Sequence, residues 1–369
     1  MSKKLQAEHG IVCRLTGRRD GYFGWPSVAR MDDGTLVAAS SGLRTRHVCP
    51  FGKTVLNFSR DEGRTWSAPR VINDSPLDDR DAGVVNLGGR RMLVTWFTSD
   101  TRHYFERLRP QLSDDELARW EQVLGTWTDE LVDKWLGSWV MRSEDGESWS
   151  EPIRCPVSTP HGPIVLAGGG LLYLGKRRSL TMDLRAHPVA ACRSDDGGRT
   201  WQVLSDLPVA PGTRVNNFHE PHVVELEDGR LLGMIRFQFD GEDDPARADK
   251  SLVHFSLYQT ASDDGGRTWS TPRATGVYGS PPHLLRHSSG AIVCVYGYRQ
   301  APFGQRVMIS RDGGGSWQAD LILRDDGPGG DLGYPASVEM PDGSIFTVYY
   351  QKHQAGELCS LLWSRWQLS

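Results

Sequence analysis

A short turn sequence occurs five times along the chain, at intervals of tens of residues. The copies are SRDEGRTW from Ser59, SEDGESW from Ser143, SDDGGRTW from Ser194 and again from Ser262, and SRDGGGSW from Ser310. In each copy the Asp carboxylate can accept hydrogen bonds from the backbone amides that follow it, and the Gly can adopt a positive φ without steric cost. Because self-similarity at such spacings is typical of repeat architectures, one supersecondary unit is expected to recur along the chain.

A second pattern, which occurs six times, has a short apolar strand, a turn containing Gly and a second apolar strand. The six segments begin at Pro26, Asp81, Gly162, Pro221, Pro282 and Pro335. Each is typical of a β-hairpin, and in five of them the Asp-containing turn follows and would join a third strand to a fourth. Four antiparallel strands repeated six times predict an all-β fold, a six-bladed β-propeller, formed as a single domain over residues 1–369.

Two segments depart from this rhythm. The last unit lacks a full Asp turn, so its outer strand is expected to come from the N-terminal stretch GIVCRLT, which would close the ring. A segment at about 101–138 in blade 2 has helical periodicity, and Ser113 followed by Glu116 is typical of a capping box. This helical insertion is expected to wall a pocket or to form a subunit contact in a homo-oligomer, unless it is a loop without a role.

Composition excludes several classes of function. The net charge of −4 does not favour nucleic acid or an anionic membrane as a partner. The six cysteines show neither metal nor disulfide spacing, and the start MSKKLQAEHG lacks the apolar core of a secretory signal. We therefore expect a cytoplasmic protein without a cofactor, or a secreted one if a signal has been removed. His219 and His222 would point to opposite faces of a strand, so no metal site is expected.

The six hairpins can be aligned on their turn glycines, and the residue just before each first strand can then be compared. These residues are Trp25, Asp81, His161, Glu220, Pro281 and Tyr334. The alignment needs a one-residue deletion in blade 2, so Arg80 competes with Asp81. Since the first strand of a blade is innermost, these side chains are expected to ring one mouth of the central channel, on the face away from the Asp turns. They could form an acid/base constellation, or a merely solvated channel entrance.

Cationic side chains are expected at the same mouth. Arg177 and Arg236 each lie seven residues after a turn glycine, where the second strand returns to this face. Lys176, Arg299 and Arg306 could add to the positive field. Guanidinium groups bind carboxylates and sulfates through paired hydrogen bonds, so an anionic ligand is predicted, although a single Arg is more often part of a surface ion pair.

With these residues, nearly the whole chain resembles the sialidase superfamily, whose members are six-bladed propellers with Asp-box turns. The stretch HEPHVVELEDGRLLGMIR is similar to the sialidase segment that holds the Glu polarising the nucleophile and a carboxylate-binding Arg, and the resemblance assigns these roles to Glu220 and Arg236. DLGYPASVEMPDG is similar to the segment with the Tyr nucleophile, which would be Tyr334. Arg306 stands where another Arg of the family's triad is expected, with Arg299 as its competitor.

The chain also departs from the family pattern. Sialidases have Arg-Ile-Pro at the first hairpin, but here the sequence is Gly24-Trp25-Pro26, so the first Arg of the triad is missing. The acid/base Asp expected near residue 48 is replaced by the stretch LRTRHVCPFGK. His47 could donate the proton instead, since the pKa of His lies near neutral pH. Arg44 or Arg46 could restore the lost positive charge.

The leading hypothesis is a sialidase-like glycoside hydrolase that acts on an acidic or otherwise modified sugar. Tyr334 would be the nucleophile, Glu220 its base, and His47 or Asp81 the acid/base. The predicted substrate contacts are Arg236, Arg306, Arg299, Arg177, His161, Arg46 and Trp25.

Two other classes of function stay open. The first is a polysaccharide lyase that removes the proton α to a uronate carboxylate, using His161, His47 and Tyr334. The second is a glycan-binding propeller without turnover. All three hypotheses predict a carbohydrate ligand, most simply an anionic one.

Overall fold

The strands form six sheets, antiparallel except for one short added strand, and these are the blades of a six-bladed β-propeller. The computed structural model describes residues 3–177 and 187–368. Blade 1 consists of Tyr22–Arg30, Leu36–Arg44, Lys53–Ser59 and Arg70–Asn73, and blade 2 of Asp78–Asn86, Met92–Ser99, Gly137–Ser143 and Ile153–Cys155. Blade 3 consists of Val157–Ser158, Ile164–Val165, Leu171–Arg177, Val189–Ser194 and Gln202–Asp206.

Blades 4 to 6 repeat the same order from the inner to the outer strand. Blade 4 consists of Phe218–Glu225, Leu231–Phe237, Ser256–Ser262 and Arg273–Tyr278, and blade 5 of Pro282–Arg286, Ile292–Tyr298, Phe303–Ser310 and Gln318–Gly327. Blade 6 consists of Gly333–Glu339, Ser344–Lys352, Cys359–Gln367 and Ala7–Cys13. The six-bladed all-β prediction is thus confirmed.

The two ends of the chain close the ring. Ala7–Cys13 pairs antiparallel with Cys359–Gln367 and forms the outer strand of blade 6, as predicted for GIVCRLT. Lys3–Lys4 adds a short parallel pairing to the outer strand of blade 5, which the sequence analysis did not foresee. The N-terminal segment therefore links blades 5 and 6 through backbone hydrogen bonds.

The Asp turns form the hydrogen bonds that their sequence predicts. In blade 3, Asp196 Oδ1 accepts hydrogen bonds from the amides of Arg199 and Thr200, each at 2.9 Å. Gly198 has a φ of +88°, and a Cβ atom there would lie only 2.3 Å from Cδ1 of Leu93 in blade 2. The glycine is therefore required twice, by the turn conformation and by the close approach of the preceding blade.

The insertion in blade 2 is helical, as predicted. It contains the helices Arg102–Leu108, Asp114–Leu124 and Asp129–Trp135 and the 3₁₀ turn Arg109–Gln111. Ser113 and Glu116 form the expected capping box. Trp120 is wholly buried in the insertion, and the guanidinium of Arg46 in blade 1 contacts the Glu116 carboxylate at 3.2 Å. The insertion is thus attached to the loop that follows the second strand of blade 1.

Apolar side chains from neighbouring blades form the core between the sheets. For example, Leu172 and Leu174 of blade 3 pack with Leu231 and Ile235 of blade 4. All six cysteines are free and buried. Two further 3₁₀ turns, Val215–Asn217 and Pro245–Ala248, lie in the loops of blade 4. No helix within residues 3–177 and 187–368 has the length and apolar character needed to cross a membrane.

Candidate active site

Four residues at the start of the inner strands share an unusual backbone conformation. Trp25, Asp81, Glu220 and Tyr334 have φ values of 52°, 52°, 47° and 52°. Each lies at a shift in register between the inner and second strands of its blade. A bulge of this kind redirects a side chain, and non-Gly residues with positive φ are rare and cluster at functional sites. The sequence alignment of the inner strands thus identified a repeated structural position.

The same geometry corrects the alignment in blade 3. There the left-handed residue is Gly162, with a φ of 76°, and not the predicted His161. In blade 2 the left-handed residue is Asp81 and not its competitor Arg80. The inner strand of blade 3 is split into two short pieces. The spacing to the turn glycine therefore differs by one residue from that in the other blades, and the alignment selected His161 instead of Gly162.

Tyr334, Glu220 and Arg236 form one hydrogen-bonded group at the channel mouth. The Tyr334 hydroxyl donates to Glu220 Oε1 at 2.5 Å, and Arg236 Nη1 donates to Glu220 Oε2 at 2.5 Å. Arg236 Nη1 also donates to the Tyr334 hydroxyl oxygen at 3.3 Å. The two residues that the resemblance assigns as nucleophile and base are therefore in direct contact, although they are far apart in sequence.

The electrostatic surroundings keep Tyr334 protonated at rest. Burial raises the pKa of its hydroxyl, and the carboxylates of Glu220 and Asp81 raise it further, while Arg236 and Arg299 oppose them. Tyr334 is only 5% exposed. A phenolate at this position would therefore require transfer of its proton to a neighbouring base, and the Glu220 carboxylate is in direct contact with it.

Two guanidinium groups lie beside the Tyr334–Glu220 pair, and they differ in their charge partners. Arg236 is neutralised by Glu220 and faces the ring of Phe255 at 4.7 Å. Arg299 lies 5.6 Å from the centroid of the Tyr334 ring, and its Nε donates to the carbonyl of Leu332 at 3.0 Å. Within the described residues Arg299 has no ion pair, so Arg299 is the better placed of the two for an anionic ligand.

The structure places two of the predicted arginines elsewhere. Arg306, expected in the anion clamp, is buried, and its guanidinium donates to the carbonyls of Arg324 and Pro302 at 3.0 and 3.1 Å. Arg177 forms an exposed ion pair with Asp206 at 3.1 Å. Both residues are therefore engaged in contacts outside the Tyr334–Glu220 group, and of the competitors Arg299 and Arg306 it is Arg299 that lies beside Tyr334.

His161 lies in the channel rather than in the ring at its mouth. Its ring is 5.5 Å from that of His222 and 4.9 Å from that of His283, and the latter two stack at 4.2 Å. A cavity of about 360 Å³ is lined in part by these three histidines. In the part of the chain that the structure describes, no group of three or more His, Cys, Asp or Glu side chains is arranged to hold a metal ion.

The replacement for the family's first Arg is an aromatic and cationic stack. The Trp25 ring is wholly buried, and the guanidinium carbons of Arg44 and Arg80 lie 4.8 and 4.1 Å from its centroid. Arg44 forms a buried ion pair with Asp78, and Arg80 lies 3.6 Å from the same carboxylate. Arg44 and Arg46 thus have structural partners, Asp78 and the helical insertion, rather than an open face at the mouth.

His47 lies beside Trp25, at a ring distance of 5.0 Å, and its side chain is 47% exposed. Its Nδ1 lies 2.8 Å from Oδ1 of Asp331, a residue that sequence reasoning did not single out. The only signal for Asp331 was its position three residues before Tyr334, within the DLGYPASVEMPDG segment. Tyr22 and Tyr350 also donate to the Asp331 carboxylate.

Comparison with known proteins agrees with this architecture. Residues 121–347 match the BNR repeat-like domain family, and the chain belongs to it. The chain superposes on a protein of unknown function from Dyadobacter fermentans DSM 18053 with a TM-score of 0.75 and 22% identity, over 98% of both chains. No curated protein matches the chain in sequence.

Sialidases are among the other similar structures. Trypanosoma rangeli sialidase in complex with sialic acid superposes with a TM-score of 0.63 and 15% identity, over 99% of this chain and 60% of the sialidase. Hadza microbial sialidase Hz136 gives 0.64 and 17%, over 98% of this chain and 68% of that one. At these identities the likeness establishes the sialidase-type propeller fold, and the activity must be argued from the site.

Proposed function

We propose that this chain is a glycoside hydrolase of the sialidase type, in which Tyr334 attacks the anomeric carbon of an acidic sugar. The observation that carries the proposal is the 2.5 Å contact between the Tyr334 hydroxyl and Glu220 at the channel mouth. A phenol is a poor nucleophile at neutral pH, and a carboxylate in direct contact can accept its proton during attack. Sialidases are known to use a Tyr where most glycosidases use a second carboxylate.

Groups at the channel mouth can supply and accept every proton that the two steps of the reaction require. As Tyr334 Oη bonds to the anomeric carbon, its proton passes to Glu220 and the bond to the leaving oxygen breaks. An acid supplies a proton to that oxygen, and His47 or Asp81 is the candidate. A water molecule then attacks the glycosyl-tyrosine, loses a proton to the same acid/base, and Glu220 returns its proton to Tyr334.

The charge balance supports a substrate with one acidic group. Arg236 is paired with Glu220, whereas Arg299 has no ion pair within the described residues and lies over the Tyr334 ring. A carboxylate bound by Arg299 would therefore be held next to the attacking oxygen. A neutral phenol also avoids the repulsion that a carboxylate nucleophile would meet with such a sugar.

The test is hydrolysis of aryl glycosides of sialic acid, of uronic acids and of neutral sugars. Tyr334→Phe removes the nucleophile, so we expect kcat on the accepted substrate to fall by about 10³-fold or more. Tyr104→Phe is the matched control, because this half-buried tyrosine lies in the helix Arg102–Leu108 of the insertion, beside Arg107. Wild-type turnover by Tyr334→Phe would refute the proposal. An unsaturated, ultraviolet-absorbing uronate product would instead support the lyase, and no turnover at all would support a binding propeller.

A further inference from the structure

The loop that carries His47 is fixed by a buried ion pair. The guanidinium of Arg44 donates to both oxygens of Asp78, at 2.5 and 2.9 Å, and both side chains are wholly buried. Arg44 Nη2 also donates to the carbonyl of His47 at 3.1 Å, and Arg44 Nε to that of Arg46 at 3.3 Å. Although His47 is exposed, its backbone is therefore anchored to the core of the propeller.

Asp331 is the centre of a hydrogen-bonding group that sits against His47. Its carboxylate accepts hydrogen bonds from the hydroxyls of Tyr22 and Tyr350, each at 3.1 Å, and lies 2.8 Å from His47 Nδ1. The Cys359 thiol donates to the Asp331 carbonyl at 3.3 Å. Burial alone would raise the pKa of Asp331, but His47 and the two tyrosines lower it to about 2. Asp331 is therefore an anion at any working pH.

This arrangement determines which nitrogen of His47 is free. Asp331 Oδ1 lies 2.8 Å from Nδ1, closer than the Tyr22 hydroxyl at 3.1 Å, and an ionised carboxylate can only accept, so the proton is placed on Nδ1 and Nε2 is left as the nitrogen that can give or take a proton. The imidazole is edge-on to Trp25, whose ring centroid also lies 6.4 Å from that of Tyr334. The free nitrogen is thus presented at the same mouth as the Tyr334–Glu220 pair.

We propose that His47 and Asp331 form an acid/base dyad, in which His47 exchanges the proton with the leaving group and with water and Asp331 is its positioning residue. The inference rests on the hydrolase function proposed above. In the first step His47 Nε2–H donates to the leaving oxygen as its bond to the anomeric carbon breaks. In the second step neutral Nε2 takes a proton from the attacking water, while Asp331 stays ionised throughout.

The dyad would replace the acid/base Asp that sialidases have and this chain lacks. It also favours His47 over Asp81, the other acid/base candidate. Asp81 is only 6% exposed and lies close enough to Tyr334 to raise its pKa, whereas His47 is 47% exposed. A leaving group that departs toward solvent can reach His47 more readily. The other charged groups that face His47 are Arg44 and Arg80, and both are partnered by Asp78.

The first experiment needs no substrate. Nitrogen-15 NMR of the histidines should show His47 with its proton on Nδ1 above its pKa. Asp331→Asn removes a charge in hydrogen-bond contact, so the pKa of His47 should fall by about 1 unit or more. Asp325→Asn is the matched control, because Asp325 lies nearby in sequence but is paired with Lys4 at the surface. An unchanged titration of His47 in Asp331→Asn would overturn the dyad.

The second experiment tests the chemical role on whichever aryl glycoside the wild type hydrolyses. A 2,4-dinitrophenolate leaves readily as an anion, so the rate of its departure depends little on proton donation by an acid. A phenolate is more basic, so its departure depends strongly on that proton. His47→Ala and Asp331→Asn should therefore lose about 10²-fold or more with phenyl but less than about 10-fold with dinitrophenyl. An equal loss with both leaving groups would overturn the acid/base role. If the wild type hydrolyses no glycoside, the proposed function fails and the catalytic role of the dyad with it, while the NMR experiment still decides whether His47 and Asp331 are coupled.

Discussion

The cluster of three histidines in the channel predicts that the propeller loses stability steeply below neutral pH. His161, His222 and His283 are all buried, and within residues 3–177 and 187–368 His161 and His222 share a single hydrogen bond, from the amide of Leu284 to His222 Nδ1 at 3.0 Å. Burial lowers the pKa of His222 to about 3, and it lowers the pKa values of His161 and His283 well below their ordinary range. All three must therefore stay neutral in the folded protein.

The size and sign of the effect follow from proton linkage. An unfolded histidine binds a proton as the pH falls through about 6.5, whereas folded His222 does so only near pH 3, so acid favours the unfolded state. At pH 5 such a histidine reduces the free energy of unfolding by about 2 kcal/mol relative to neutral pH. The pKa values of His161 and His283 are lowered in the same direction, so the loss of stability at acid pH exceeds the part that His222 contributes alone.

His161→Phe tests this reasoning because both ring nitrogens of His161 are buried without a hydrogen bond in the described structure. Urea unfolding at pH 7 and pH 5 should show that the variant loses less of its free energy of unfolding than the wild type over this interval. Equal pH dependence in His161→Phe and the wild type would refute the explanation.

Two further predictions concern the propeller itself. Asp78→Asn should reduce the free energy of unfolding by about 3 to 5 kcal/mol, because it leaves Arg44 charged and unpaired in the core; a loss below about 1 kcal/mol in urea unfolding would contradict this. Gly198→Ala should cost about 2 to 4 kcal/mol, from left-handed strain and a clash with the preceding blade. Gly229→Ala, with a similar φ of +83° and open space around it, should cost only about 1 kcal/mol, and equal losses would show that the clash is unimportant.

The fold was predictable because its determinants are local. Each Asp turn needs an acceptor carboxylate and a residue free to take a positive φ, and both are visible in a window of eight residues, as at Asp196 and Gly198. The strand Ala7–Cys13 was predictable for a different reason. Blade 6 lacked a fourth strand, and unpaired edge strands are avoided when a ring can close.

The site was only partly predictable, because its side chains depend on register and on long-range partners. Glu220 and Tyr334 could be aligned because each lies the same number of residues before the turn glycine of its hairpin, Gly229 or Gly343. The sequence could not decide between Arg299 and Arg306. The guanidinium of Arg306 donates to the carbonyls of Arg324 and Pro302, and no local sequence pattern predicts those hydrogen bonds. Asp331 was missed because the contact that makes it relevant is with His47, which is far away in the sequence.

The charge balance at the mouth limits what this site can bind. The family resemblance implies that three arginines bind one carboxylate. In this chain the first of them is missing, because the motif reads Gly24-Trp25-Pro26. Arg306 is hydrogen-bonded to backbone carbonyls, and Arg236 is paired with Glu220. Among the described residues of this group, Arg299 is the one that has no ion pair and only a single backbone hydrogen bond, through Nε, so a bound carboxylate would gain one charge-assisted contact rather than three. We therefore expect a weaker dependence of KM on ionic strength than a full triad would give, and binding that relies more on the sugar's neutral groups.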